Sequence, residues 1–143
     1  MAKEMIDDRF KKFGSVSFVA VSRVNDFIDY LDKGKLMGTR CSHCGSNFFP
    51  PRADCFKCRK SSMKWFEVKN TGELATFSTL TYAPAGFEKE LPYTIAVLDY
   101  GKFRVFGRTD PAIPAEELRI GMQMKSEVTN TADGKLTYVF KKA

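Results

Sequence analysis

The apolar positions of this chain change period twice. Val24, Phe27, Ile28 and Leu31 recur at i, i+3, i+4 and i+7, one face of a helix of about ten residues. Asn25 or Ser22 is placed to cap it, Asp26 and Asp29 suit its positive N-terminal end, and Gly34 marks its stop. Just upstream, Val16, Phe18 and Ala20 alternate with Ser17 and Val19, a weak strand signal. Residues 36–64 then lose all periodicity, and Gly45, Pro50 and Pro51 exclude a helix. Loops and short hairpins held by something other than a core are expected there.

From Trp65 the pattern is β. Trp65–Val68 and Gly72–Tyr82 read as one long strand bent at Asn70-Thr71-Gly72. Tyr93–Asp99 and Lys102–Arg108 form a predicted hairpin through Tyr100-Gly101. Met122–Thr129 and Leu136–Phe140 follow, joined at Asp133-Gly134, with a helical turn at Ala115–Leu118 before them. Five strands with short turns match a Greek-key OB barrel, and a small sandwich of equal strand count fits too.

Composition adds bounds. The 143 residues are 43% hydrophobic and 28% charged, a globular chain of one domain or two small ones. No apolar run reaches the ~20 residues that span a bilayer, so no membrane is expected. The first eight residues lack an apolar signal core, so a cytoplasmic location is expected. Of the net charge of +6, residues 1–71 supply all: 14 basic and 8 acidic residues, against 9 and 9 in 72–143. Within 33–64, Lys33, Lys35, Arg40, Arg52, Lys57, Arg59, Lys60 and Lys64 face a single acid, Asp54.

That same stretch holds every cysteine. Cys41-Ser42-His43-Cys44 and Cys55-Phe56-Lys57-Cys58 are two Cys-x-x-Cys pairs ten residues apart. Cysteines three apart on a tight knuckle present both sulfurs to one ion at ~2.3 Å, and two knuckles complete a tetrahedron. Gly45 suits the positive φ that turns backbone N–H groups toward the sulfurs. Nearby Arg and Lys favour thiolates. Two disulfides are possible by count alone, but reduced cytosolic thiols argue against them. Tetrahedral sulfur accepts zinc or iron alike. His43, the sole histidine, is expected beside the site rather than in it. A closed four-cysteine site leaves no open coordination position, so the metal is structural. With all four thiols so used, and without a Gly-x-Gly-x-x-Gly or a P-loop, self-contained catalysis is not expected.

Three features offer ligand contacts. Phe48-Phe49-Pro50-Pro51-Arg52 lies between the knuckles, and one of its two rings is expected to be exposed, with both rings covering the ribbon as the alternative. Strand parity places Lys102, Arg104, Phe106 and Arg108 on one face and Phe103 and Val105 on the other. That basic, aromatic face suits phosphate and base stacking, or is simply solvated. The loop 83–92 is long for so small a barrel, and its Pro84, Phe87 and Leu91 read as a contact patch.

The helix, Gly38-Thr39-Arg40-Cys41-x-x-Cys44-Gly45, Phe49-Pro50-Pro51-Arg52 and Cys55-x-x-Cys58, in this order, resemble one family. Gly72-Glu73-Leu74, Pro92-Tyr93-Thr94-Ile95-Ala96 and Ile120-Gly121-Met122 extend the resemblance over roughly 24–141. It is the acyl-CoA-associated zinc-ribbon/OB-fold family, long classed as a domain of unknown function. The resemblance implies a mainly β fold: an N-terminal extension and helix (1–35), a rubredoxin-like zinc ribbon (36–64) and a five-stranded OB-fold barrel (65–143). It places structural Zn2+ on Cys41, Cys44, Cys55 and Cys58 and carries over no catalytic residue. Members are small subunits or fused domains that pair with thiolase-fold enzymes, or with hydratases and aldolases acting on acyl-CoA. One described member is the small subunit of a benzoylsuccinyl-CoA thiolase. The implied role is a non-catalytic subunit in a hetero-oligomer with a larger thiolase-fold catalytic subunit. Coenzyme A or acyl-CoA is a possible shared ligand, which the basic belt at 33–64 would attract. Two other readings stay open: a single-stranded nucleic-acid-binding module, which is not the expected one because the barrel half is neutral, and an iron electron carrier.

Overall fold

The computed structural model describes residues 7–15 and 22–143; the weak strand expected at 16–20 lies outside them. Helix α1 spans Asp26–Asp32 and buries Phe27, Ile28 and Leu31, the predicted face. It is shorter than the pattern implied. Asn25 stands at its start without a side-chain cap bond, its amide donating instead to the Ser22 carbonyl. Gly34, at φ +78°, ends it as expected. The Gly34 N–H donates to the Leu31 carbonyl at 2.9 Å and the Lys35 N–H to the Tyr30 carbonyl at 2.9 Å, satisfying the last turn.

Three strands make the ribbon: β1 (Met37–Cys41), β2 (Asn47–Phe48) and β3 (Met63–Glu67), in order β2-β1-β3, all antiparallel. This corrects the reading of Trp65–Tyr82 as one strand. Trp65 and Phe66 pair with Thr39 and Gly38 of β1, not with the barrel. A Cβ on Gly38 would sit 2.5 Å from the Phe48 carbonyl oxygen and 2.6 Å from the Phe66 ring, so only glycine permits this close approach.

The barrel is β4 (Thr71–Leu80), β5 (Tyr93–Asp99), β6 (Arg104–Thr109), β7 (Gln123–Asn130) and β8 (Leu136–Lys142). The sheet closes in the order β4-β5-β6-β8-β7, with β6 and β8 parallel and every other pair antiparallel. Closure removes the edges that a sandwich would leave and settles the choice for the OB fold. Leu74, Ala96, Leu98, Val105, Met124 and Phe140 fill its interior. Helix α1 joins this core through Phe27, Ile28 and Leu31.

Ribbon and barrel meet through aromatic rings. Phe49 packs edge-on against Phe27 of α1 (6.4 Å between centroids) and Tyr138 of β8 (5.8 Å). Phe66 of β3 lies 4.9 Å from Phe103, which stacks on Tyr100. Arg9, outside any predicted element, adds bonds to Asp26 (2.9 Å) and Asp29 (2.5 Å) on α1. Among the described residues no helix is long and apolar enough to cross a membrane.

Candidate metal centre and neighbouring surfaces

The two knuckles repeat one backbone design. The Gly45 N–H donates to the Cys41 carbonyl and the Arg59 N–H to the Cys55 carbonyl, each at 2.8 Å. The Cys41 N–H reaches the Ser46 carbonyl and the Cys55 N–H the Lys60 carbonyl, each at 2.9 Å. Gly45 (φ +77°) and Arg59 (φ +61°) both adopt the left-handed conformation this turn requires. Glycine takes it freely, while arginine bears a cost of about 1 kcal/mol.

These turns bring the Sγ atoms of Cys41, Cys44, Cys55 and Cys58 within 4.8 Å of one another. The Cys41–Cys58 and Cys44–Cys55 separations are 3.5 Å, far beyond a disulfide bond. A tetrahedral zinc with ~2.3 Å bonds sets its sulfurs roughly 3.8 Å apart, so the four residues fit the ion. Cys41 and Cys55 are buried, Cys58 half-buried and Cys44 exposed. The Ser46 hydroxyl and N–H beside Cys44 pull its thiol down to about 6. Bonds from backbone N–H groups of the same knuckle lower Cys41 as well. The Lys60 N–H draws Cys58 down, but burial and the neighbouring sulfurs outweigh it and push this thiol up to about 11. Four ionised thiols this close repel one another, and a divalent ion relieves the repulsion. His43 stays outside the cluster, exposed, with Nδ1 3.3 Å from Lys60 Nζ.

The expected ligand contacts divide. Neither ring of the Phe48-Phe49 pair is exposed, which corrects the expectation. Phe48 is the last residue of β2, and Phe49 stands just beyond it in the bend that leads to Pro50. It is 8% exposed against Cys41 and Cys55, and half-buried Phe49 turns to the main core. The solvent-facing ring is instead Phe56, 62% exposed. The middle residues of a Cys-x-x-Cys knuckle face away from the ion, so this exposure was readable from the spacing. The Arg52 guanidinium lies over Phe48 (5.8 Å) and Phe56 (5.5 Å). Thr39 fixes the Arg52 backbone, its hydroxyl accepting from the Arg52 N–H at 2.8 Å and donating to the Arg52 carbonyl at 2.9 Å.

Lys102, at the β5–β6 turn, joins Phe48, Phe56, Lys57 and the first knuckle around an open cleft of about 460 Å³. Arg104 and Arg108 are elsewhere and engaged. Arg104 binds Asp99 at 3.3 Å. Arg108 binds Glu90 at 2.7 Å and lies 3.9 Å over the Tyr93 ring and 5.3 Å from Phe87. Glu90 also accepts from Ser15, and these donors outweigh burial to hold its carboxyl below the usual range. Arg108 thus holds the loop 83–92 against the barrel, leaving Phe87 and Leu91 half-buried and Pro84 exposed. Among the described residues, Tyr82 (85%), Phe106 (58%) and Ile120 (64%) are the other large exposed apolar side chains.

Residues 29–63 match the family model described as ChsH2, rubredoxin-like zinc ribbon domain, and residues 65–129 match ChsH2, C-terminal OB-fold domain. A DUF35 domain-containing scaffold protein of Methanocaldococcus jannaschii is 35% identical over 112 residues, 74% of this chain and 79% of the relative. A scaffold protein of the same description from Pyrococcus furiosus is 29% identical over 98 residues, 67% of this chain and 70% of its own. Among solved structures, a chain of the Ltp2-ChsH2(DUF35) aldolase superposes with a TM-score of 0.72 at 21% identity, covering 87% of this chain and 98% of that one. A DUF35-family protein of unknown function from Sulfolobus solfataricus superposes at 0.56 and 19% identity, covering 83% and 82%.

Proposed function

The chain belongs to the DUF35 family of ChsH2-type zinc-ribbon and OB-fold proteins, and from that membership we propose that it is a non-catalytic scaffold subunit serving a larger thiolase-fold enzyme. One observation carries the reading: every thiol of the chain is gathered at one metal centre, in a protein whose relatives are scaffolds. Thiolytic cleavage of an acyl-CoA needs a cysteine nucleophile and acid–base partners, so the larger subunit supplies them. This chain supplies assembly and part of the surface that coenzyme A or a 3-oxoacyl or benzoylsuccinyl type of acyl-CoA meets. Cys41, Cys44, Cys55 and Cys58 hold the zinc, which fixes the ribbon and takes no part in bond making.

The barrel face argues for a protein partner over single-stranded nucleic acid. Its two arginines are already tied to Asp99 and Glu90, whereas a strand-binding groove keeps cations free beside stacking rings. The test is a pull-down with the tagged full chain from its native host, followed by a thiolysis assay. A thiolase-fold subunit whose turnover falls when this chain is omitted is the expected result. Recovery of nucleic acid alone, or turnover indifferent to this chain, would overturn the proposal.

A further inference from the structure

Eight cations lie between residues 33 and 64, and among the described residues none of them takes part in an ion pair. The one acid of that stretch, Asp54, accepts from the Ser61 hydroxyl. Unlike Arg104, Arg108, Lys141 and Lys142 of the barrel, these cations have no carboxylate partner among the described residues. Within the same stretch of chain stands Phe56, 62% exposed, with Phe48 and the Arg52 guanidinium each under 6 Å from its ring centre. The contacts fix the ring while leaving much of it in water. A large aromatic side chain in water is costly, and held in one place it is ready to enter a pocket without further ordering.

The second knuckle shows a further departure from local preference. Arg59 holds φ +61° where the matching residue of the first knuckle is Gly45. A cation stands where the backbone favours glycine, next to Lys57 and Lys60 and facing the same solvent.

Resting on the reading that this chain serves a larger subunit, we propose that the tip of the second knuckle is the docking surface, with Phe56 as its anchor and a carboxylate-rimmed apolar socket on that subunit as its occupant. Aromatic and arginine anchors at the centre of an interface carry most of its binding energy, and the rim charges set approach and orientation. Lys57, Arg59 and Lys60 are those rim charges. Charge complementarity alone would admit nucleic acid as well. A strand reader, however, stacks successive bases on several rings along a groove. The tip offers one, since Phe48 is only 8% exposed.

The test uses the zinc-loaded full chain and the larger subunit it recovers, purified separately, with affinity measured by calorimetry at 50 and 500 mM salt. Phe56→Ala is expected to weaken binding at least about tenfold at both salts. The pair Lys57→Glu with Arg59→Glu should weaken it more at 50 than at 500 mM salt. Lys125→Glu, a single such charge reversal placed on the barrel, should leave it unchanged. Zinc content and circular dichroism monitor folding, and the charge pair gives the answer even if Phe56→Ala loses zinc. Affinity within twofold of wild type for both Phe56→Ala and the charge pair would overturn the docking surface and leave the scaffold role standing. A wild-type chain that holds no larger subunit overturns the scaffold role and this inference together. A twenty-nucleotide oligo(dT) that displaces the larger subunit, with Phe56→Ala abolishing its binding, would assign the tip to nucleic acid instead.

Discussion

The ribbon and the barrel solve the problem of cohesion in opposite ways. The barrel closes five strands over Leu74, Leu98, Val105, Met124 and Phe140 and ties Arg104, Arg108, Lys141 and Lys142 to its own carboxylates. Among the described residues, the ribbon has a buried cluster of only Cys41, Phe48 and Cys55 on its metal side, and its cations have no carboxylate partner. A metal ion does there what apolar area and internal charge pairing do in the barrel. The side chains of the ribbon are consequently spared structural work and available at the surface.

The largest test of that contrast is removal of the metal. Cys55→Ser, or chelation of the native chain, is expected to abolish the ribbon's tertiary structure, because structural zinc contributes on the order of 10 kcal/mol to such modules. Near-ultraviolet dichroism of Trp65 and bound-zinc analysis measure the loss, and the barrel's far-ultraviolet β signal should survive at low temperature. An intact ribbon without zinc would break the comparison. Gly38→Ala comes next, since its Cβ collides with the Phe48 carbonyl and the Phe66 ring at once. A loss of about 3 kcal/mol in urea unfolding is expected.

The barrel carries a pH effect of its own, apart from the thiols of the ribbon. Tyr138 packs among Phe13, Phe49 and Phe140 and donates to the Phe106 carbonyl at 2.5 Å, and burial holds its phenol neutral well above the tyrosine range. Its folded pKa exceeds the unfolded value near ~10, so its contribution is complete below pH 10 and is lost as pH rises beyond. Wild type should lose up to about 1.4 kcal/mol per pH unit above 10 from this group, and Tyr138→Phe should show a flatter slope in the same range. Equal slopes would remove Tyr138 from the account. The smallest effect is expected from Glu90→Gln, which frees Arg108 and the loop 83–92. The Arg108 and Glu90 side chains are about 30% exposed, so a cost of about 1 kcal/mol or less accompanies faster proteolysis within the loop.

The metal site was legible because its information is local. Two Cys-x-x-Cys spacings and Gly45 suffice to draw both knuckles. Helix α1 and strands β5 to β8 were readable for a similar reason, since each carries its period within a short window. What escaped depends on distant partners. Alternation marks Trp65 and Phe66 as strand residues but does not say which sheet they enter, and pairing with β1 decides that. Phe48 and Phe49 look alike in sequence, yet the end of β2 and the bend after it send one to the metal cluster and the other to the main core. Arg108 reads as a free cation until Glu90, 18 residues away, is seen to hold it.

Phe49 carries a consequence beyond packing. It belongs by sequence to the stretch between the knuckles, but its ring lies against α1 and β8. Any unfolding of the ribbon therefore uncovers part of the barrel's own core. By mass action, each tenfold rise in free zinc above its dissociation constant adds about 1.4 kcal/mol to whatever unfolds together with the site. The barrel, which contacts no metal, thereby has a melting temperature that reads the zinc activity of its surroundings.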